Sequence, residues 1–184
     1  KYRQRARSAR RNGEVMERRI MDEKLIEAFS ERIHELYKYV AKNAGFNLFI
    51  LHPTYFLELK KELGELYQMT GYFIDNELVG FNTLIKSHND LDAHFVGYDP
   101  IHNQKYKVYM NMLYDMIESA INSKAKDLIF ARTAMEIKSS AGAVGYPMSF
   151  YLKSNNKFIN FIGKRMYNLL EPEADWVPRS PFKE

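Results

Sequence analysis

His94 and Asp92 stand two residues apart in the segment Leu91-Asp-Ala-His-Phe-Val-Gly-Tyr98. Read as a strand, its side chains alternate. Asp92, His94, Val96 and Tyr98 are then expected on one face, and Leu91, Ala93, Phe95 and Gly97 on the other. Histidine titrates near neutrality, so His94 with Asp92 beside it is a candidate base for an amine's proton. The plainer alternative is a solvent-facing strand with ordinary alternation. Gly97 is a place where a ligand's backbone-like arm can approach the strand edge. A second cluster follows the apolar run Asp127-Leu-Ile-Phe-Ala131. There Arg132 offers a planar fork for a carboxylate or phosphate, Glu136 is a second candidate base, and Lys138 is an anion contact. The plainer alternative is a capped helix with a surface ion pair of little worth. Tyr146 and Tyr151 are candidate acids for a leaving group, but with 13 tyrosines composition singles out neither.

Several chemistries are excluded. The chain has no cysteine, so disulfide scaffolds, thiolate zinc sites and cysteine nucleophiles are out. His88, His94 and His102 are spaced by six and eight residues, not the i, i+4 pattern of a helical metal pair, and no metal site is expected. Neither a Gly-x-Ser-x-Gly nor a Walker sequence occurs.

These residues need a scaffold, and 184 residues suit one domain with a short appendage. Hydrophobic residues make up 46% and charged residues 27%, the balance of a globular protein with one good core. No apolar run is long enough for a transmembrane helix, and a cytoplasmic location is expected. Charge is uneven. The first 19 residues hold eight basic and two acidic side chains, a net +6 against +4 for the whole chain, so the remainder carries −2. The basic arm suits nucleic acid or acidic lipid, or else it is a solvated helix connecting two domains.

The pattern predicts a basic helix over residues 1–11, a turn at Asn12-Gly13 and a short strand within 14–21. Asp22 is placed to cap a helix ending near Gly45, with Leu25, Ile26, Phe29, Ile33, Leu36, Tyr37 and Val40 on its apolar stripe. A second helix starts at Pro53 and ends at Gly64. Three antiparallel strands follow, 66–74, 78–85 and 91–98, turning at Asp75-Asn76 and at residues 87–90. A long helix over 103–125, a buried strand over 127–131, a short helix from Thr133 to Ser140, a strand over 147–153 and a helix over 156–170 complete the pattern. A proline-rich tail follows, docked by Trp176. An antiparallel meander followed by a βαβ unit makes an α/β (α+β) mixed sheet with helices on both faces.

That order resembles the GNAT acyltransferase superfamily. Within it, Lys-Tyr-Arg-Gln-Arg-Ala at the start, Tyr-Val-Ala-Lys-Asn-Ala-Gly-Phe, Pro-Thr-Tyr-Phe, and Ala131-Arg-Thr-Ala-Met-Glu-Ile-Lys-Ser-Ser-Ala-Gly142 are similar to the FemAB-like branch, named for peptidoglycan biosynthesis and recognition. The resemblance implies two GNAT-type domains in tandem. Residues 1–13 would then be a connector from an upstream domain, 14–170 the GNAT-like domain and 171–184 a tail. It implies an acyl donor between the strands 91–98 and 127–131, touching Phe95, Val96, Gly97 and Tyr98. Where relatives using acetyl-CoA carry a glycine-bearing pyrophosphate loop, this chain has His102-Asn-Gln-Lys-Tyr-Lys-Val-Tyr109. Asn103, Gln104 and Lys105 are the donor-binding candidates there. The implied donor is an acyl-CoA or an aminoacyl-tRNA, and the acceptor an amine of a small molecule or cell-envelope precursor. The rival expectations are a degenerate GNAT-like module for recognition or domain packing, and RNA binding through the basic arm.

Overall fold

The computed structural model describes residues 2–44, 47, 49–131, 134–148, 154–156 and 176–182. The chain divides into two compact units, Lys1–Thr133 and Ala134–Glu184.

The first unit is built on a five-stranded sheet of β1 (Glu17–Ile20), β2 (Tyr67–Ile74), β3 (Glu77–Ser87), β4 (Asp90–Tyr98) and β5 (Leu128–Phe130), in that spatial order. The first four strands pair antiparallel, and β5 pairs parallel to β4. Asp75 and Asn76 both take positive φ between Ile74 and Glu77, as a two-residue hairpin of this twist requires.

One face of the sheet is covered by α2 (Glu23–Ala28), α3 (Ser30–Asn43) and α4 (Tyr55–Leu63). Ile26, Ile33, Leu36, Tyr37 and Phe56 meet Met69, Phe73, Leu78 and Phe81 there. The other face carries α6 (Val108–Asn122), whose Val108 and Met112 pack with Tyr72 and Val79. The basic helix α1 (Tyr2–Asn12) lies on α6, with Ala9 buried. Asp22 caps α2, its carboxylate accepting from the Leu25 amide at 2.8 Å. Gly64 closes α4 at φ +53, a conformation that favours glycine.

Two helices depart from the sequence reading. The helix expected from Asp22 to Gly45 is broken at Phe29, whose backbone leaves the helical region while its ring packs edge-on to Phe73 at 5.4 Å. The helix expected over 103–125 is two helices, α5 (Pro100–Tyr106) and α6, parted by Lys107 at φ 56. No glycine or proline marks either break; a tertiary contact accompanies the first, and polar side chains within residues 103–111 accompany the second. The fully buried Asn111 donates to the carbonyls of Tyr106 at 3.3 Å and Lys107 at 3.1 Å, and Asn103 accepts from the Tyr109 amide at 2.9 Å.

In the second unit, α7 (Met135–Ser140) matches the expected short helix. Trp176 packs over Gly145 and Phe182 over Gly142, so the tail is docked within this unit. The expected helix over 156–170 and most of the expected strand over 147–153 lie outside the described residues.

Candidate functional site

The ladder between β4 and β5 covers only Leu91 to Ala93, where Ala93 faces Phe130; β4 itself runs on to Tyr98. At the same point the pairing of β3 with β4 slips. Asn82 faces Val96 and Leu84 faces Ala93, so Thr83 alone stands opposite His94 and Phe95. This is a β-bulge. The buried Thr83 hydroxyl holds it, accepting from the Phe95 amide at 2.8 Å and donating to the Phe95 carbonyl at 3.0 Å.

The extra residue corrects the expected alternation. His94 and Phe95 both turn toward α4: Phe95 packs edge-on to Tyr37, Tyr55 and Phe56, and the His94 ring lies 5.9 Å from that of Tyr55. Val96 and Tyr98 turn to the α6 face, against Val108 and Tyr109. Asp92, His94, Val96 and Tyr98 therefore do not share one face.

His94 is half-buried. Its Nε2 lies 3.2 Å from the Tyr55 hydroxyl, while its Nδ1 is buried with no hydrogen-bond partner among the described residues. Desolvation pushes the imidazole's pKa below its ordinary value, and the charge of nearby Asp92 partly opposes that shift. His94 is thus biased to the neutral form, which can take a proton. Burial also raises the Tyr55 pKa, with Tyr37 adding to the shift, so its hydroxyl stays protonated. The Tyr37 hydroxyl in turn accepts from the Leu51 amide at 3.3 Å, and His34 meets the Leu51 carbonyl at 3.0 Å. These bonds pin the link between α3 and α4 beside this aromatic cluster.

Gly97 is explained by α3. A Cβ there would lie 2.3 Å from the Phe81 ring and 2.8 Å from the backbone of Leu36 and of Tyr37. Asp99 ends the strand and caps α5, accepting from the amides of Ile101 and His102; Arg32 reaches its other oxygen at 3.3 Å. Asn103 is committed to the Tyr109 amide. The Gln104 carbonyl accepts from Lys107 at 2.8 Å, and Lys105 sits over the Tyr106 ring at 4.7 Å. One amide of the first turn of α6, that of Tyr109, is therefore taken from within the chain.

Glu136, Lys138 and Tyr146 belong to the second unit. Arg179 pairs with the Glu136 carboxylate, donating from Nε at 3.0 Å. Lys138 is buried, and desolvation lowers its pKa to about 8. Tyr146 is 87% exposed. Arg132 and Tyr151 lie outside the described residues. Among the described residues no group of acidic and histidine side chains could hold a metal ion. No described helix is long and apolar enough to cross a membrane.

Sequence reasoning missed Tyr55 and Thr83. Tyr55 sits on the apolar face of its helix and reads as core. Thr83 sits in an ordinary strand, and nothing local marks the bulge it holds.

Among solved structures, the chain is similar to a Trypanosoma brucei acetyltransferase at 13% identity and a TM-score of 0.54, over 76% of this chain and 99% of that one. It is similar to a predicted acetyltransferase with acetyl-CoA from Clostridium acetobutylicum at 10% identity and 0.59, over 75% and 96%. A third similar structure is an aminoglycoside acetyltransferase from an uncultured soil metagenomic sample, in complex with sisomicin, at 10% and 0.57, over 77% and 98%. These likenesses concern the fold, the same mixed sheet with helices on both faces. No curated protein sequence matches the chain. The model of the acetyltransferase (GNAT) domain family matches residues 1–139, three-quarters of the sequence, and the chain belongs to that family.

Proposed function

We propose that the chain is an N-acyltransferase domain that moves an acyl group from a coenzyme A thioester to an amine, with His94 as the base. The observation that carries this reading is the end of the β4–β5 ladder at Ala93, beside the bulge that brings His94 to Tyr55. Phe95 turns both backbone groups to Thr83, so period-two alternation turns those of Val96 to the opposite edge, where the β5 ladder has ended. The Val96 N–H is then placed to donate to the thioester carbonyl oxygen as charge builds on it. Neutral His94 takes the ammonium proton, the amine nitrogen bonds to the carbonyl carbon, and the carbon–sulfur bond breaks. The nitrogen gives up its second proton as the thiolate leaves and takes one up, so the products are the amide and the free thiol, and Asp92 supports the charged imidazole.

The Clostridium acetobutylicum structure with acetyl-CoA supports a CoA donor by likeness of fold. Here Asn103 takes the Tyr109 amide that a phosphate would otherwise reach, so grip on the pyrophosphate falls to Lys105, Lys107 and Gln104. That substitution favours a second reading, in which the donor is an aminoacyl-tRNA or this half is a degenerate module. The quoted FemAB-like segments support an acceptor amine on a small molecule or cell-envelope precursor, an upstream GNAT domain joined through residues 1–13, a domain over 14–170, a tail over 171–184, and a cytoplasmic reaction.

The test is thiol release from acetyl-CoA with a panel of amines. General-base loss costs about 10²–10⁴ in rate, so H94Q should lower kcat at least a hundredfold with little change in donor KM. Full turnover in H94Q would overturn the assignment. An inactive wild type that also fails to bind any acyl-CoA would move the chain to the second reading.

A further inference from the structure

Helix α1 is docked, and the docking sorts its arginines. Tyr2, Ala6 and Ala9 face the body, and the Asn111 amide donates to the Ala9 carbonyl at 2.9 Å. Arg10 turns inward to Asp115 and Glu118, and Arg18 reaches Asp115 at 2.9 Å. The Asp115 carboxylate also accepts from the buried Tyr72 hydroxyl at 2.7 Å, so this anchor runs to the centre of the sheet. Arg19 is paired with Glu17. Arg3, Arg5, Arg7 and Arg11 remain, all exposed and with no acidic partner among the described residues, and three of them, Arg3, Arg7 and Arg11, share one face.

We propose that the outward face of α1 is a binding ridge for single-stranded RNA, with Arg3, Arg7 and Arg11 each taking a backbone phosphate. Their i, i+4, i+8 spacing lines them along one helix face, each step rising about 6 Å. The choice of residue is specific. Seven of the chain's 11 arginines lie in the first 19 residues, whereas 15 of its 16 lysines lie beyond them. Arginine's fork matches two phosphate oxygens at once. Arg5, near Tyr114 of α6, adds a further exposed guanidinium beside the ridge. The helix is held in place before RNA arrives, so little ordering is needed on binding. A lipid surface fits less well. The outward residues Arg3, Gln4, Arg7, Ser8 and Arg11 include no apolar side chain to enter a bilayer.

The test is fluorescence anisotropy of the full chain with a short, labelled, mixed-sequence single-stranded RNA. Each phosphate neutralised contributes about −0.7 to the log–log salt slope, so three give about −2 and a loss of about 20-fold between 50 and 200 mM salt. R3Q/R7Q/R11Q should bind at least about tenfold more weakly at low salt and show a flattened slope. Its thermal midpoint should stay at the wild-type value, because none of the three touches the body. K124Q/K126Q should bind as wild type does. Wild-type affinity and slope in the triple variant would overturn the ridge. So would binding to vesicles of phosphatidylcholine and phosphatidylglycerol with none to RNA. The assay contains no acyl donor, so its failure leaves the acyltransferase reading standing, and the converse holds.

Discussion

Replacing Thr83 by valine keeps the volume of the side chain and removes the hydroxyl that holds the bulge. In the wild type that hydroxyl serves both backbone groups of Phe95, at 2.8 and 3.0 Å, from a fully buried position. Valine leaves both without that partner. A buried backbone group left unpaired costs about 1–3 kcal/mol. Phe95 is only half-buried, so water relieves part of the loss. The net expectation for T83V is about 2–4 kcal/mol, or about 5–15 °C in thermal midpoint for a chain of this size. T83S keeps the hydroxyl and deletes one methyl, which costs about 1 kcal/mol. The order is the point: T83V should be clearly less stable than T83S, by circular dichroism melts and by urea titration. T83V should also lose transferase activity beyond its stability loss, because His94 and Val96 are aimed by the bulge. If T83S were the worse variant, the position would be a packing site, and the hydroxyl-held bulge would be refuted.

Three further outcomes follow from named contacts. G97A should lose about 1–3 kcal/mol in urea titration, because its methyl meets α3 backbone rather than open cleft; unchanged stability would show that the glycine is not needed for helix–strand approach. N111A should lose about 2–4 kcal/mol, because the carbonyls of Ala9, Tyr106 and Lys107 lose a shared donor and a cavity opens; hydrogen exchange should speed up in both α1 and α5, and protection unchanged in α1 would contradict the anchor. The acid limb of kcat/KM should reflect His94. Burial lowers its pKa below the usual 6.5, so the neutral base persists at neutral pH and activity falls only as pH drops through that lowered value. A limb centred above neutrality would assign the base elsewhere.

The readable parts of the fold were those set by local chemistry. The cap at Asp22, the stop at Gly64 and the tight turn at Asp75-Asn76 each depend on residues adjacent in sequence, and the alternating and helical periods located β2, β3, β4 and α3. The break at Phe29 was not readable, because the ring seats on Phe73 from another segment; the break at Lys107 rests on Asn103 and Asn111, whose side chains bond backbone groups across it, and the helical period marks neither asparagine as a breaker. The bulge was the costly omission. Period-two counting is reliable only while the ladder is regular, and one extra residue after Asp92 reversed the face of Val96 and Tyr98. His94 was singled out as a titratable side chain in a strand. Its partner Tyr55 was hidden among aromatic residues that read as packing.

Hydrogen exchange of the folded chain with and without acetyl-CoA tests most directly whether a donor binds along β4 beyond Ala93, where the β5 ladder ends. The amides of His94–Tyr98 should gain saturable protection, with Val96 foremost, together with those of Leu128–Phe130 on the facing strand. Protection confined to other elements, or none at saturating acetyl-CoA, would contradict the account.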